Sequence, residues 1–230
     1  MRRSYGEHAD QHVDVYAPEG ARRAVVAVLH GGFWRTPYPS DLMGPLCADL
    51  AARGYEAWNV EYRRLGAGGG WPTTFDDVRA AVEGADGSLV TLGHSAGGHL
   101  ALWLASHDRA PWLSGVLAVA PAADLGEVAR LGLSDGAAAA LVGGTPDDLP
   151  EAWADADPAR QRLTVPAVIV TGDRDDVVPA SVVERYVSSR SPDEPLHTAV
   201  ARSADHFDLI DPDHPAYLLL LSEVEELTLR

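Results

Sequence analysis

A serine stands at the centre of Gly93-His94-Ser95-Ala96-Gly97, a G-x-S-x-G pattern. A serine hydroxyl is a poor nucleophile at neutral pH. Chemistry at Ser95 therefore needs a base to take its proton and donors to hold the oxyanion that forms on an attacked carbonyl. The pattern alone is weak, since a chain with 22 glycines meets it by chance in roughly one case in eight. Its surroundings make it informative. Ser88 to Leu92 reads as a strand and Ala96 to Ser106 as a helix, so Ser95 falls on the sharp turn between them, where Gly93 and Gly97 let neighbouring backbone pass close. The competing reading is a Gly-rich helix start carrying an ordinary serine.

The other parts must come from elsewhere in the chain. The strand Ala24 to Leu29 ends in His30-Gly31-Gly32-Phe33-Trp34, and paired glycines just beyond a strand can aim backbone N–H groups into a cleft. Gly32 and Phe33, with Ala96 after the nucleophile, are the candidate oxyanion donors, against a simple glycine turn capping a strand. The base belongs on a loop after the last strand. His206, in Ser203-Ala204-Asp205-His206-Phe207, fits best, and His214 before the final helix is the alternative. His30 and His94 sit beside the expected turns and read as supports. The acid that orients the imidazole belongs at the end of the preceding strand, where Asp173, Asp175 and Asp176 compete in Gly172-Asp173-Arg174-Asp175-Asp176. Asp175 is preferred, Asp176 is the alternative, and Asp173 suits a turn hydrogen bond to its own backbone. The order Ser95, Asp175, His206 is the nucleophile, acid, base order of a serine elbow on a parallel sheet.

The elements that must hold these residues are legible as apolar runs alternating with longer helical stretches, the mark of a parallel sheet wrapped by helices. Strands are expected at Val13 to Tyr16, Ala24 to Leu29, Ala57 to Glu61, Ser88 to Leu92, Gly115 to Ala120, Val165 to Thr171 and Leu196 to Ala201. From Val25 onward they lack polar alternation, as strands buried on both faces do. Val13 to Tyr16 alternates and is placed at an edge. Helices are expected at about 42–53, 75–84, 96–106, 180–189 and 215–228. Thr74 and Asp77 look like an N-cap and its acidic partner, and Gly54 ends the helix before. The interval 121–163 lacks a clear strand and reads as a small helical insertion over one end of the sheet. The expectation is α/β: a three-layer sandwich with a mostly parallel twisted sheet, forming one domain over 1–230 with a short cap-like insertion at about 121–163.

Taken together, these motifs resemble the α/β-hydrolase superfamily, in particular the small esterases related to kynurenine formamidase and the hormone-sensitive-lipase-like enzymes. Tyr5-Gly6 with Val13 to Pro18 is similar to that group's opening strands. His30-Gly31-Gly32-Phe33-Trp34 resembles its H-G-G-x-W oxyanion motif, Gly93 to Gly97 its elbow, Gly172-x-x-Asp175 with Val178-Pro179 its acid, and Asp205-His206-Phe207-Asp208 the formamidase-type base loop. The resemblance implies a serine hydrolase that needs no cofactor and cleaves a small carboxylic ester or activated amide through an acyl-enzyme. In such enzymes the interval 121–163 builds the cap, and Trp34, Tyr38, Trp71 and Trp153 are candidates to line a substrate pocket. A serine peptidase of the same fold and a non-catalytic small-molecule-binding protein are the rival readings.

Composition narrows the partners. The net charge is −16, and all 18 basic residues are Arg, so nucleic acid is not expected as a partner. The Lys-free, acidic composition is read as a coding bias, with high-salt adaptation as the alternative. One cysteine, Cys47, excludes an internal disulfide. Asp205, His206, Asp208, Asp211, Asp213 and His214 crowd together, but their spacing fits neither H-E-x-x-H nor an EF-hand loop, so no metal is assigned. The run from Gly87 to His107 carries no formal charge, yet its Gly-rich polar centre does not suit a lipid-facing span, and no membrane partner is expected. The first twelve residues have no apolar stretch, which points to the cytoplasm. Nothing in the residues favours one oligomeric state.

Overall fold

Eight strands form one sheet in the computed structural model, which describes residues 1–83, 85, 88–107 and 112–229. In chain order they are β1 (Arg2–Ser4), β2 (His12–Tyr16), β3 (Val25–Leu29), β4 (Glu56–Glu61), β5 (Leu89–His94), β6 (Leu113–Val119), β7 (Ala167–Gly172) and β8 (Leu196–Ala201). The spatial order is β1-β2-β4-β3-β5-β6-β7-β8, with β1 and β2 antiparallel to their neighbours and every other pair parallel.

Alternate residues of the apolar strands serve two different cores. Val25, Ala27 and Leu29 of β3 face α2 (Thr73–Val82) and α3 (Ala96–His107), whereas Val26 and Val28 face α1 (Gly44–Ala52) and α8 (Tyr217–Thr228). Both faces are covered, so all five residues of β3 are buried, which is why it lacks polar alternation, whereas β8, at the sheet edge, is largely exposed and not buried on both faces as its sequence suggests. The uncharged run from Gly87 to His107 contains β5 and α3, and α3 is buried from Ala96 to Ser106 because it lies between the sheet and the segment after β6. No helix among the described residues is long and apolar enough to cross a membrane.

Between β6 and β7 lie α4 (Leu125–Arg130), α5 (Leu133–Val142) and α6 (Pro150–Ala156), and α7 (Ala180–Ser188) follows β7. α5 opens on left-handed backbone at Ser134, Asp135 and Gly136. It is tied to the loops after β3 and β4: Arg35 donates to the Ser134 carbonyl at 2.8 Å, and the Trp71 N–H donates to the Leu141 carbonyl at 2.7 Å.

Three expectations are corrected. Val13 to Tyr16 is not an edge strand, because β1 pairs outside it. β1 is polar and exposed, held by the Arg2–Asp14 ion pair, and so carries no apolar pattern to read. Thr74 does not cap α2, which begins at Thr73; its hydroxyl donates to the Arg63 carbonyl and accepts from the Gly70 N–H. Asp77 is buried and accepts from Arg63 and Gln11. The expected end of that helix at 84 lies outside the described residues. Gly54 does end α1, at a φ of +92°.

Candidate active site

Ser95 occupies the turn from β5 into α3 with φ +55°, a left-handed conformation that is costly for a side chain other than glycine. Its backbone is held on three sides. The Ser95 N–H donates to the Val119 carbonyl at 2.8 Å, and its own carbonyl accepts from the N–H groups of His99 and Ala122 at 3.1 and 3.2 Å. The flanking glycines allow the turn to sit this deep. A Cβ on Gly93 would lie 2.1 Å from the Gly97 carbonyl oxygen, and one on Gly97 would lie 2.1 Å from the Leu29 carbonyl oxygen.

The loop after β3 abuts this turn. A Cβ on Gly31 would come within 2.9 Å of the Ser95 Cβ. Gly32, Phe33 and Trp34 then follow in left-handed conformations, with φ of +104°, +48° and +58°. Three successive residues of this kind are held by surrounding contacts, among them the Arg35 N–H donating to the Gly32 carbonyl at 3.0 Å. Among the described residues, no acceptor pairs with the backbone N–H of Gly32, Phe33 or Ala96. Free N–H groups on a loop beside a serine and at a helix start are what an oxyanion requires.

His206 and Asp175 meet across two loops. His206 Nδ1 donates to Asp175 Oδ2 at 2.7 Å, and Asp175 Oδ1 accepts from the N–H groups of Val177 and Val178, each at 2.9 Å. The bond through Nδ1 leaves Nε2 as the remaining ring nitrogen of His206. The loops are locked together because the Asp173 N–H donates to the Ala201 carbonyl and the Arg174 N–H to the Ala204 carbonyl, at 3.1 and 3.0 Å. The same contact sorts the three carboxylates: Asp173 accepts from the Ser203 N–H at 2.6 Å, on the facing loop and not from its own turn as expected, and Asp176 is exposed. His214 instead accepts from the Ala216 N–H and stands 3.7 Å from Asp208.

Two histidines brace the site. His94 packs at a tilt against His206 with ring centroids 4.6 Å apart, and its Nε2 donates to the His206 carbonyl at 2.9 Å. This bond joins the elbow directly to the base loop. Burial, and after it the neighbouring His206, pushes the His94 imidazole down to about 3, so the ring is neutral at ordinary pH. His99, one turn into α3, donates through Nε2 to the Ala156 carbonyl at 3.0 Å and is likewise pushed down to about 4 by burial.

The expected substrate contacts separate. Trp34 and Trp153 have no exposed surface and belong to the core rather than to a pocket wall. Trp34 packs edge-on against His99, and Trp153 donates to the Gly144 carbonyl, so wide rings that looked available to a ligand are consumed by packing. Trp71 is half-buried against Phe75 and Trp103. Tyr38 is 49% exposed and lies over Gly32, where a Cβ would meet it at 2.2 Å. Phe207 is not among the expected substrate contacts. It is 50% exposed, edge-on to His206 at 5.1 Å and beside His94 at 5.7 Å. Its position directly after the expected base is the signal the sequence carries. A cavity of about 530 Å³ lies between α7 and strands β7 and β8 and reaches Asp175, but neither Ser95 nor Trp34, Tyr38 or Trp71 lines it. Among the described residues no group of His, Cys, Asp and Glu is arranged to hold a metal ion.

The model of the BD-FAE family matches residues 13–187, more than half of the chain. Three solved structures superpose closely. Esterase B from Lactobacillus rhamnosis gives a TM-score of 0.78 at 20% identity, over 99% of this chain and 84% of that one. A truncated carbohydrate esterase from gut microbiota gives 0.81 at 16% identity, over 100% and 95%. Thermogutta terrifontis esterase 2, in a form phosphoramylated by tabun, gives 0.77 at 19% identity, over 100% and 93%. These similarities establish the α/β-hydrolase fold. No curated protein sequence matches the chain.

Proposed function

The chain belongs to the BD-FAE family, and from that membership and the site geometry we propose that it is a serine esterase with Ser95 as nucleophile, His206 as base and Asp175 as the orienting acid. The observation that carries this reading is the 2.7 Å Asp175–His206 pair on a loop bonded through His94 to the strained Ser95 turn. Asp175 holds the proton of His206 on Nδ1, which leaves Nε2 as a lone-pair base for the Ser95 hydroxyl. Attack by Ser95 on a carbonyl forms a tetrahedral intermediate whose oxyanion is held by the N–H groups of Ala96 and of Gly32 or Phe33. Each such donor is worth roughly 10²- to 10³-fold in rate. His206 then protonates the leaving group, an acyl-enzyme remains, and water activated by the same ring releases the acid.

The substrate is a small carboxylic ester, with an activated amide such as an N-formyl arylamine as the finer possibility suggested by the Asp205 to Asp208 loop. Esterases among the structural neighbours support the ester. The half-exposed Tyr38 and Phe207, over Gly32 and beside His206, support a flat acyl or aryl group.

Labelling with a fluorophosphonate probe, read by intact mass on the wild type, Ser95→Ala and His206→Ala, tests the assignment. One adduct on the wild type and none on either variant is expected. Turnover of p-nitrophenyl esters of increasing chain length, run beside N-formylkynurenine, then separates ester from amide. A folded wild type that takes no label refutes the enzyme reading and leaves a binding protein on this scaffold.

A further inference from the structure

We infer that His30 is a doubly protonated imidazolium whose task is to hold the Gly31–Gly32 peptide so that the Gly32 N–H faces the oxyanion, with Glu61 as its obligatory counter-charge. This inference deepens the proposed function and rests on it for the role of Gly32.

The ring's two hydrogen bonds determine its state. His30 is fully buried, with Nδ1 2.8 Å from the Gly31 carbonyl oxygen and Nε2 3.0 Å from Glu61 Oε1. A carbonyl oxygen and a carboxylate only accept, so each nitrogen must donate, and only the imidazolium donates from both. A neutral ring would leave a lone pair against one of these oxygens.

The neighbouring charges are compatible with that cation. Glu61, itself buried, stands 3.3 Å from Arg64, and Arg64 stands 3.4 Å from Asp10. With that cation, His30, Glu61, Arg64 and Asp10 alternate in sign along one chain that runs from the buried ring to the partly exposed Asp10. Glu61 also accepts from the backbone N–H of Ser40 at 2.9 Å and of Tyr62 at 3.1 Å. Burial by itself would raise its carboxyl, but the His30 hydrogen bond and charge, with Ser40 and Arg64, hold it at about 2. The other ionisable groups facing His30 are Tyr62, stacked flat on the ring at 4.2 Å and donating to the His30 carbonyl at 2.7 Å, and the neutral His94.

The consequence for the site follows from peptide geometry. In a trans peptide the C=O and the next N–H point in opposite directions. With the Gly31 carbonyl drawn onto the buried imidazolium, the Gly32 N–H points away from it, on the loop that touches Ser95. A charged donor on the carbonyl also polarises the same amide and strengthens its N–H as a donor. His30 and Glu61 are thus positioning residues that act through the Gly31–Gly32 amide and touch no substrate.

The test has two arms. The first is ¹⁵N NMR of the histidine rings of the wild type near pH 7.5, with the His30 signals assigned by their loss in His30→Gln. Both His30 nitrogens should carry protons, and a neutral-ring signature overturns the inference. The second is Glu61→Gln, which removes the counter-charge at nearly constant shape. Its kcat on p-nitrophenyl acetate should fall about 10- to 100-fold, below the loss of a whole oxyanion donor, while KM stays within about twofold and Ser95 still takes one equivalent of fluorophosphonate, only more slowly. An unchanged kcat in a folded Glu61→Gln overturns it. Should that variant not fold, the ring signals of the wild type decide alone. Absence of Ser95 labelling in the wild type is a failure of the esterase reading instead, and leaves the His30 result standing by itself.

Discussion

Replacing Gly97 by alanine strikes the contact between the Ser95 turn and the loop after β3. The added Cβ would stand 2.1 Å from the Leu29 carbonyl oxygen and 2.6 Å from that of His30, both main-chain atoms. Ordinary carbon contacts lie at about 3.5 Å, so α3 and the end of β3 must separate by more than about 1 Å. Neither element can yield freely. Leu29 is bonded into the sheet between β4 and β5, and α3 is buried along its length. Overpacking of this kind costs about 1–3 kcal/mol, which for a chain of this size lowers Tm by roughly 2–12 °C. The functional cost is larger than the stability cost, because the two elements forced apart carry the candidate donors: Ala96 on α3, and Gly32 and Phe33 after β3. A displacement of about 1 Å at a reacting centre costs on the order of 10²-fold. Gly97→Ala should therefore unfold cooperatively with a modestly lower Tm, yet react with fluorophosphonate about 100-fold more slowly than the wild type. The paired measurement is a thermal melt and the second-order labelling rate constant. Unchanged values of both would refute the argument that this glycine sets the distance between the two halves of the site.

Asp175→Asn should lower kcat by about 10⁴-fold. Its oxygen would stay on the N–H groups of Val177 and Val178, turning the amide NH₂ toward His206 Nδ1, so the ring's proton moves to Nε2 and the base is lost. A loss below tenfold on p-nitrophenyl acetate would contradict this assignment. Asp157 is raised to about 6 by burial and then by Asp124, so its proton binds more tightly in the folded chain than in the unfolded one. Its contribution to stability is present below about pH 4 and is lost as pH rises to about 6. Asp157→Asn, which keeps an acceptor for the Leu125 and Ala159 N–H groups, should raise Tm at pH 8 relative to the wild type and flatten that window in a pH series of melts. The coding-bias reading of the acidic surface predicts a cooperative melt in low-salt buffer. A chain that is unfolded until molar salt is added would show adaptation to high salt instead.

Local features of the chain were enough to place the turn at Ser95 and seven of the eight strands. Apolar runs without alternation mark strands covered on both faces, and β3 is such a strand because helices pack on both sides of it. The turn at Ser95 is likewise a local matter, since small residues two positions to either side decide whether the backbone can bend there. β1 escaped notice for the converse reason: a three-residue exposed strand of Arg, Arg and Ser has no apolar face to betray it.

What the linear order could not decide depends on directions set by parts of the chain far apart. Asp173, Asp175 and Asp176 are near-identical neighbours, and only the approach of the 201–206 loop selects the one that meets His206. Trp34 and Trp153 have the same amphipathic chemistry as a pocket wall, and their removal into the core is fixed by α3 and by the segment between β6 and β7. The sign of His30 is of the same kind. A histidine before two glycines has no protonation state of its own, and it acquires one because Glu61, thirty-one residues later, is carried by the neighbouring strand to its second nitrogen. Spacing along the chain states which groups are available, whereas charge state and exposure depend on the full three-dimensional surroundings of each atom.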